Sequence, residues 1–309
     1  MKKDLISIKD LTKKEILELI EKAEKIKKNP GDYSNLLKGK SMLMFFEKPS
    51  LRTRVSFEVA MTQLGGHAIY VDMKTTPIGE KESVADTAKV ASRFCDIIIA
   101  RLFSHKNIEE LGKYSKVPVI NALTDFSHPC QVLSDLLTIK EKKKTLKIKL
   151  AYLGDSNNNV THSLIYAAAI AGFDISIGCP KAHAPNPVVI REAEQFLKKY
   201  ENKNKILITD KAEEAVKDAD VVYTDSWMSY HIPKEQLNER IKIFKPYQVT
   251  SSLMKKAKKD AIFMNCLPAM RGYEQTADVI DSKQSVVFDQ AENRLHMQKA
   301  IVLKLLGKL

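Results

Sequence analysis

From Met42 onward, short apolar runs of strand length recur along the chain with amphipathic segments of helix length between them. No other feature of the sequence limits the possible folds as much. Runs such as MLMFF, IIIA, LAYL, VVY and AIFM are apolar throughout rather than alternating, which suits strands covered on both faces of a parallel sheet. The spacing predicts strands near 42–46, 68–73, 97–101 and 117–121, with helices near 12–28, 52–64, 82–94, 106–114 and 130–140. The charged stretch from Lys140 to Lys147 reads as a domain junction. Beyond it, strands are expected near 148–153, 174–178, 205–209, 220–224, 261–265 and 286–288, with helices between them. Two doubly wound α/β domains with mostly parallel sheets follow, over 1–140 and 147–290. The last segment, from Ala291, is long enough to return to the first domain as a helix over 291–309.

A chain of 309 residues accommodates two such cores, and its 44% hydrophobic and 28% charged residues describe a globular protein in water. No apolar run approaches the roughly 20 residues that span a bilayer. The segment MKKDLISIKDLTKKEI has no apolar stretch after its lysines, so it does not read as a secretory signal, and a cytoplasmic location is expected. Cys95, Cys130, Cys179 and Cys266 are far apart with no CxxC pair, which points to free thiols rather than a metal ribbon or a disulfide framework. The net charge of +12 raises the question of nucleic acid. The excess is mostly lysine, in solvated runs such as Lys142-Lys143-Lys144, without the interleaved aromatics that stack on bases. We therefore expect neither nucleic acid nor membrane as a partner, and an attraction for small anions.

In parallel sheets ligands bind beyond the carboxyl ends of the strands, and the chemically suggestive residues fall there. After the first run comes EKPSLRTRVSFE, where Ser50, Arg52 and Thr53 coincide with the start of a helix marked by Phe57, Ala60, Met61 and Leu64. Free N–H groups and the dipole already favour an anion at a helix start, and an Arg fork with hydroxyls adds to this. Arg54 is placed to pair with Glu58 one turn on, a structural role. Arg101 ends DIIIAR, His128 opens HPCQ, GDSNNN follows KLAYL, Asp225 ends VVYTD and Cys266 ends AIFMNC. Taken singly, Arg101 reads equally as a surface residue, His128 as a helix cap and Cys266 as an inert thiol. Together with the opening cluster they point to one cleft between two domains. GDSNNN lacks the glycines of a dinucleotide fingerprint, and its uncharged amides suit a zwitterion.

SLRTRVSFE, HPCQ, DSWMS, NCLPAMRGYE and ENRLHMQKA together resemble the aspartate/ornithine carbamoyltransferase superfamily, most closely its ornithine branch, over nearly the whole chain. The resemblance implies transfer of the carbamoyl group of carbamoyl phosphate to the δ-amine of L-ornithine, giving citrulline and phosphate in arginine metabolism, with no metal or organic cofactor. It implies that Ser50, Leu51, Arg52, Thr53 and Arg101 hold the phosphate. His128 and Gln131 would contact the carbamoyl group, with Cys266, Leu267 and Arg294 nearby. Asn159, Asp225, Ser229 and Tyr230 would hold ornithine, Asn158 being the adjacent alternative. Arg101, His128 and Cys266 are the expected catalytic residues, and a homotrimer or a multiple of one the expected assembly.

Four positions depart from the family pattern. Leu51 stands where Thr is usual, Pro77 where a glutamine reaches a neighbouring subunit, Asn265 where His precedes Cys-Leu-Pro, and Tyr230 where Met follows Ser229. They keep two other readings open: a putrescine carbamoyltransferase and a catalytically weak paralogue.

Overall fold

Each predicted strand but the last is formed, and each finds parallel neighbours. The computed structural model describes residues 3–74, 78–228 and 232–309, apart from the side chain of Lys234. The chain divides into two compact units, Met1–Leu137 with Glu292–Leu309, and Thr138–Ala291.

The first unit holds β1 (Ser41–Phe46), β2 (His67–Asp72), β3 (Ile97–Arg101) and β4 (Val119–Leu123), in the order β2-β1-β3-β4. All pairings are parallel. Its helices are α1 (Lys13–Lys28), α2 (Leu51–Gln63), α3 (Val84–Ala91), α4 (His105–Tyr114) and the first part of α5 (Pro129–Lys143). Every residue of β3 is buried, as its unbroken apolar run requires. The fourth strand starts two residues later than predicted. Pro118 has no N–H to give the ladder, so pairing begins at Val119.

The second unit holds β5 (Lys149–Leu153), β6 (Asp174–Gly178), β7 (Ile206–Thr209), β8 (Val221–Thr224) and β9 (Ile262–Asn265), in the order β7-β6-β5-β8-β9 and again parallel throughout. It includes α6 (Asn159–Ala171), α7 (Pro187–Lys199), α8 (Ala212–Val216), α9 (Leu237–Phe244), α10 (Ser251–Met254) and α11 (Ala277–Ile280). Helix α6 starts at an Asn158 cap and ends at Gly172, whose φ of 88° is the left-handed conformation a helix terminus uses.

The strand predicted at 286–288 does not form. Ser285 makes one isolated bridge to Phe263, and the chain enters α12 (Val287–Leu305) directly. The β-branched pair Val286-Val287 reads as a strand by composition. Both side chains are buried, however, and Phe288 is 69% exposed, so the run has no second neighbour to pair with. From Glu292 on, α12 belongs to the first unit.

Each strand order reverses once. In the first unit β1 is followed by β2 on one side and β3 on the other, so the crevice between the carboxyl ends of β1 and β3 is a switch point. In the second unit the reversal lies between β5 and β8. Among the described residues, Arg101, Asp225 and Cys266 stand at the ends of β3, β8 and β9, and Ser50 to Thr53 follow β1.

Candidate active site

At the switch point of the first unit, β1 gives way to α2 through Lys48-Pro49-Ser50. Ser50 caps α2 by accepting from the Thr53 N–H at 3.3 Å, and its hydroxyl lies 3.1 Å from Thr53 Oγ1. The fully buried Thr53 hydroxyl then becomes a meeting point. Arg101 Nη1 approaches it at 3.4 Å and Arg294 Nη2 at 3.1 Å. Arg294 Nη1 also donates to Gln131 Oε1 at 3.1 Å, and Gln131 Nε2 donates to Asp135 at 2.9 Å. Arg101 is aimed by a register shift between β3 and β4. Ala100 faces Asn121 but Arg101 faces Leu123, the kind of irregularity that re-directs a strand-end side chain.

Two buried guanidinium groups thus converge on one neutral oxygen. Unit charges a few ångströms apart repel by about 4 kcal/mol at an effective dielectric near 20. A bound dianion would turn that cost into attraction. Lys48 belongs to the same field: burial, then Arg101, lowers its pKa to about 7. Arg52 has no ion-pair partner among the described residues and is partly exposed on the first turn of α2. The Leu51 side chain beside it is 76% exposed, so it leaves the first turn of the helix unobstructed. Between β4 and α5, His128 is buried, and that burial together with Arg294 and Arg101 holds its pKa well below the usual value. It is therefore a neutral imidazole, a fixed dipole rather than an acid.

At the switch point of the second unit, Asp225 follows β8 and Cys266 follows β9. The thiol donates to Asp225 Oδ1 at 2.9 Å. Burial is the largest influence on Asp225 and raises its pKa, while the Cys266 and Ser226 hydrogen bonds pull it down. Leu267 has a positive φ of 56°, which an L-residue adopts only when held. Asn265 holds it: Oδ1 accepts from Leu267 N at 2.8 Å and Nδ2 donates to Gln275 at 3.1 Å. The backbone N–H of Asn265 in turn donates to Gln290 at 3.0 Å. The substitution noted at this position is therefore built into a satisfied polar network.

After β5, Asn158 is spent on structure. It caps Thr161 N at 2.9 Å and donates to Tyr152 Oη at 2.9 Å and to the Asp155 carbonyl at 2.6 Å. Asn159 is the first residue of α6. Gly154 has a φ of 117°, and a Cβ there would stand 2.9 Å from Trp227 Nε1. Asp155 pairs with Arg240 Nη2, whose Nε donates to the Trp227 carbonyl at 2.6 Å.

The structure brings Ser50, Leu51, Arg52, Thr53, Arg101, His128, Gln131 and Arg294 to the first unit, and Asn159, Asp225, Cys266 and Leu267 to the second. Ser229, Tyr230 and Pro77 lie outside the described residues. Sequence reasoning left Lys48, Arg240 and Glu274 out of the set. Lys48 sits inside the phosphate-like motif, and its only sequence signal was that position. Glu274 closes the NCLPAMRGYE stretch and its signal was that position, whereas Arg240 gave none, since its importance arises from contacts across the fold.

Residues 3–141 match the family profile described as aspartate/ornithine carbamoyltransferase, carbamoyl-P binding domain, and residues 146–305 the one described as its Asp/Orn binding domain. The ornithine carbamoyltransferase of Methanococcus maripaludis strain C7 is 50% identical over 97% of this chain and 98% of its own length. That of Pyrococcus horikoshii is 50% identical over 99% and 96%. The solved ornithine carbamoyltransferase of Pyrococcus furiosus superposes with a TM-score of 0.93 at 48% identity, covering 99% of this chain and 98% of that one. The ornithine transcarbamoylase of Giardia lamblia gives 0.92 at 43%, covering 100% and 99%.

Proposed function

The chain belongs to the aspartate/ornithine carbamoyltransferase family, and from that membership and the two half-sites we propose that it is an ornithine carbamoyltransferase. It transfers the carbamoyl group of carbamoyl phosphate to the δ-amine of L-ornithine, giving L-citrulline and phosphate, in arginine metabolism. The observation that carries this reading is the convergence of Arg101 and Arg294 on Thr53 Oγ1 at the capped start of α2.

In this reading Ser50, the Leu51 N–H, Arg52, Thr53 and Arg101 bind the phosphate, while Gln131 and Arg294 orient the carbamoyl group. Cys266 and Leu267 complete the contacts to the carbamoyl end. Neutral His128, Arg101 and Thr53 stabilise the oxyanion that forms when the δ-amine attacks, as fixed donors whose individual removal commonly costs a factor of about 10²–10³. The amine attacks as the free base, and the departing phosphate can take a proton. Attack needs the nitrogen within about 3–3.5 Å of the carbonyl carbon. On the second unit, Asn159, Ser229, Tyr230 and Asp225 bind the amino-acid end of ornithine, with Cys266 beside Asp225. The commitment of the Asn158 amide to its cap supports Asn159 as the ligand. No step calls on a metal or an organic cofactor.

The relatives reported above carry the ornithine name over nearly their full length, and a putrescine enzyme is not favoured. The proposal includes a homotrimer or a multiple of one. In support of self-association, the first unit presents exposed Leu51, Val55, Ile69 and Phe94. It also includes a cytoplasmic location, in keeping with four free cysteines. Citrulline formation from carbamoyl phosphate and ornithine tests the reading. Arg52→Ala should abolish most of the activity and weaken carbamoyl phosphate binding more than ornithine binding. Unchanged affinity for carbamoyl phosphate in that variant would show the helix-start cluster to be structural.

A further inference from the structure

Trp227 lies two residues beyond Asp225, and its backbone is held on both sides by the buried charged side chains of Arg240 and Glu274. Its carbonyl accepts from Arg240 Nε at 2.6 Å, and its N–H donates to Glu274 Oε1 at 3.3 Å. The other oxygen of Glu274 accepts from the N–H of Met270 at 3.0 Å, in the segment that follows Cys266-Leu267-Pro268. One carboxylate therefore ties the loop carrying Asp225 to the loop carrying Cys266. Glu274 is 1% exposed, and among the described residues no cation pairs with it.

We propose that Glu274 is a positioning residue for the amino-acid substrate, its ionised carboxylate clamping the Asp225–Trp227 and Cys266–Met270 loops in the geometry that binds ornithine. The inference rests on the proposed function, since it takes Asp225 to face a cationic amine. A carboxylate accepts both N–H groups, whereas a protonated carboxyl presents a hydroxyl to one of them.

The surroundings make this clamp sensitive to pH. Burial first, and the charge of Asp225 in addition, raise the Glu274 pKa to about 7 against the pull of its backbone hydrogen bonds. The other charged or titratable groups nearby are engaged elsewhere. Arg271 turns to Asp281 at 2.7 Å, Lys245 to Gln248 at 2.8 Å, and Arg240 to Asp155. Tyr247 donates to the Asp210 carbonyl, Asp278 is held by Ser251, and Cys266 donates to Asp225. Asp225 is thus the charge that acts on Glu274. The sign follows from a raised acid pKa: the clamp is closed above about pH 7 and opens as pH falls through it. An ammonium bound at Asp225 screens that charge, lowers the Glu274 pKa and expels its proton. Binding and clamp closure are therefore linked.

The test uses L-2-aminopentanoate, which keeps the α-ammonium, α-carboxylate and carbon chain of ornithine but lacks the titrating δ-amine. Its inhibition constant is measured in the intact enzyme between about pH 5.5 and 8.5. In the wild type, inhibition should weaken up to tenfold per unit below an inflection near 7. In Glu274→Gln that inflection should vanish, and KM for ornithine should rise at least tenfold while KM for carbamoyl phosphate stays within twofold. A purely structural glutamate would leave the pH profile unmoved. Trp227 is the only tryptophan in the chain, so its emission reads the clamp without substrate. Emission should titrate near pH 7 in the wild type, and the midpoint should fall in Asp225→Asn, a second variant that serves if Glu274→Gln does not fold. An unshifted midpoint in Asp225→Asn, or a wild-type profile in Glu274→Gln, overturns the inference. Citrulline formation by the wild type is measured first. Its absence overturns the parent reading and this inference together, whereas its presence with an unchanged Glu274→Gln profile overturns this inference alone.

Discussion

Replacing Thr53 by Val keeps shape and volume but removes the oxygen on which the phosphate half-site converges. In the ligand-free protein, Arg294 Nη2 loses an acceptor at 3.1 Å, Arg101 Nη1 a longer one at 3.4 Å, and Ser50 a partner at 3.1 Å. A hydrogen bond to a charged group contributes about 1.5–3 kcal/mol, and the 3.4 Å contact belongs at or below the low end. The loss should total about 2–4 kcal/mol, since the two guanidinium groups are buried while the half-buried Ser50 hydroxyl can turn to solvent. At about 2–4 °C per kcal/mol for a chain this large, the ligand-free melting temperature should fall by roughly 5–15 °C. Carbamoyl phosphate supplies new oxygens to both guanidinium groups, so much of that loss should disappear on binding. The remaining cost to affinity is one hydroxyl, about 1–2 kcal/mol or roughly 5–30-fold. The loss in kcat should be larger, about 10²-fold, if Thr53 also donates to the oxyanion. Thermal melts with and without carbamoyl phosphate, together with citrulline kinetics, measure all three. A ligand-free melting temperature within about 1 °C of wild type would show that the convergence on Thr53 contributes nothing. An equal fall with and without ligand would show that the arginines do not turn to phosphate.

Lys48, with a pKa near 7, is cationic below that pH and neutral above it. Carbamoyl phosphate affinity should therefore weaken between about pH 7 and 9, where the phosphate is already a dianion, and Lys48→Met should flatten that slope; direct binding titrations at several pH values decide it. Gly154→Ala should force a Cβ toward Trp227 Nε1 from a backbone with φ of 117°, shifting the Trp227 emission and raising ornithine KM at a stability cost of about 1–3 kcal/mol. Ornithine should be preferred over putrescine by at least about a hundredfold in kcat/KM, because a diamine leaves the groups built for the α-carboxylate and α-ammonium unpaired. Asp225→Ala should erode that preference by damaging ornithine turnover far more than putrescine turnover; carbamoylputrescine as the main product from an equal mixture would overturn the substrate assignment.

The legible parts of this molecule are those encoded by local sequence. Unbroken apolar runs located β1, β3, β5, β8 and β9, because a strand buried on both faces has no polar side to disguise it. Ser50 announced the start of α2 because a cap and its helix are contiguous. The tenth strand failed for a reason no local pattern carries: Val286-Val287 has strand composition, but only Phe263 lies beside it, through one bridge at Ser285. The clamp on Trp227 was invisible for the same reason. Arg240 is an ordinary charged residue in sequence and Glu274 only the end of a quoted stretch, and it is the fold that brings them to the carbonyl and the N–H of Trp227. Asn158 and Asn159 show the limit most sharply. Adjacent identical residues cannot be told apart by pattern, whereas three hydrogen bonds assign one of them to the cap.

The two switch points are built from the same topology and carry opposite charge. At the first, Arg101 and Arg294 converge on Thr53 Oγ1, while burial and the Arg101 guanidinium lower the pKa of Lys48 to about 7, and burial with both guanidinium groups holds that of His128 well below its usual value. At the second, the charge of Asp225 adds to burial in raising the Glu274 pKa, no cation pairs with Glu274 among the described residues, and the guanidinium of Arg240 is committed to Asp155. Like charges held together in a low-dielectric setting cost the ligand-free protein stability, and the titrating members relieve part of that cost by neutralising themselves. A dianion at the first site and an ammonium at the second would reverse the sign of those interactions and restore the charges. Substrate binding should accordingly take up a proton at Lys48 and release one from Glu274. Calorimetric binding enthalpies measured near pH 7 in two buffers of different ionisation enthalpy should therefore show opposite buffer dependence for carbamoyl phosphate and for L-2-aminopentanoate. The same sign for both would mean that the two sites do not store charge in this complementary way.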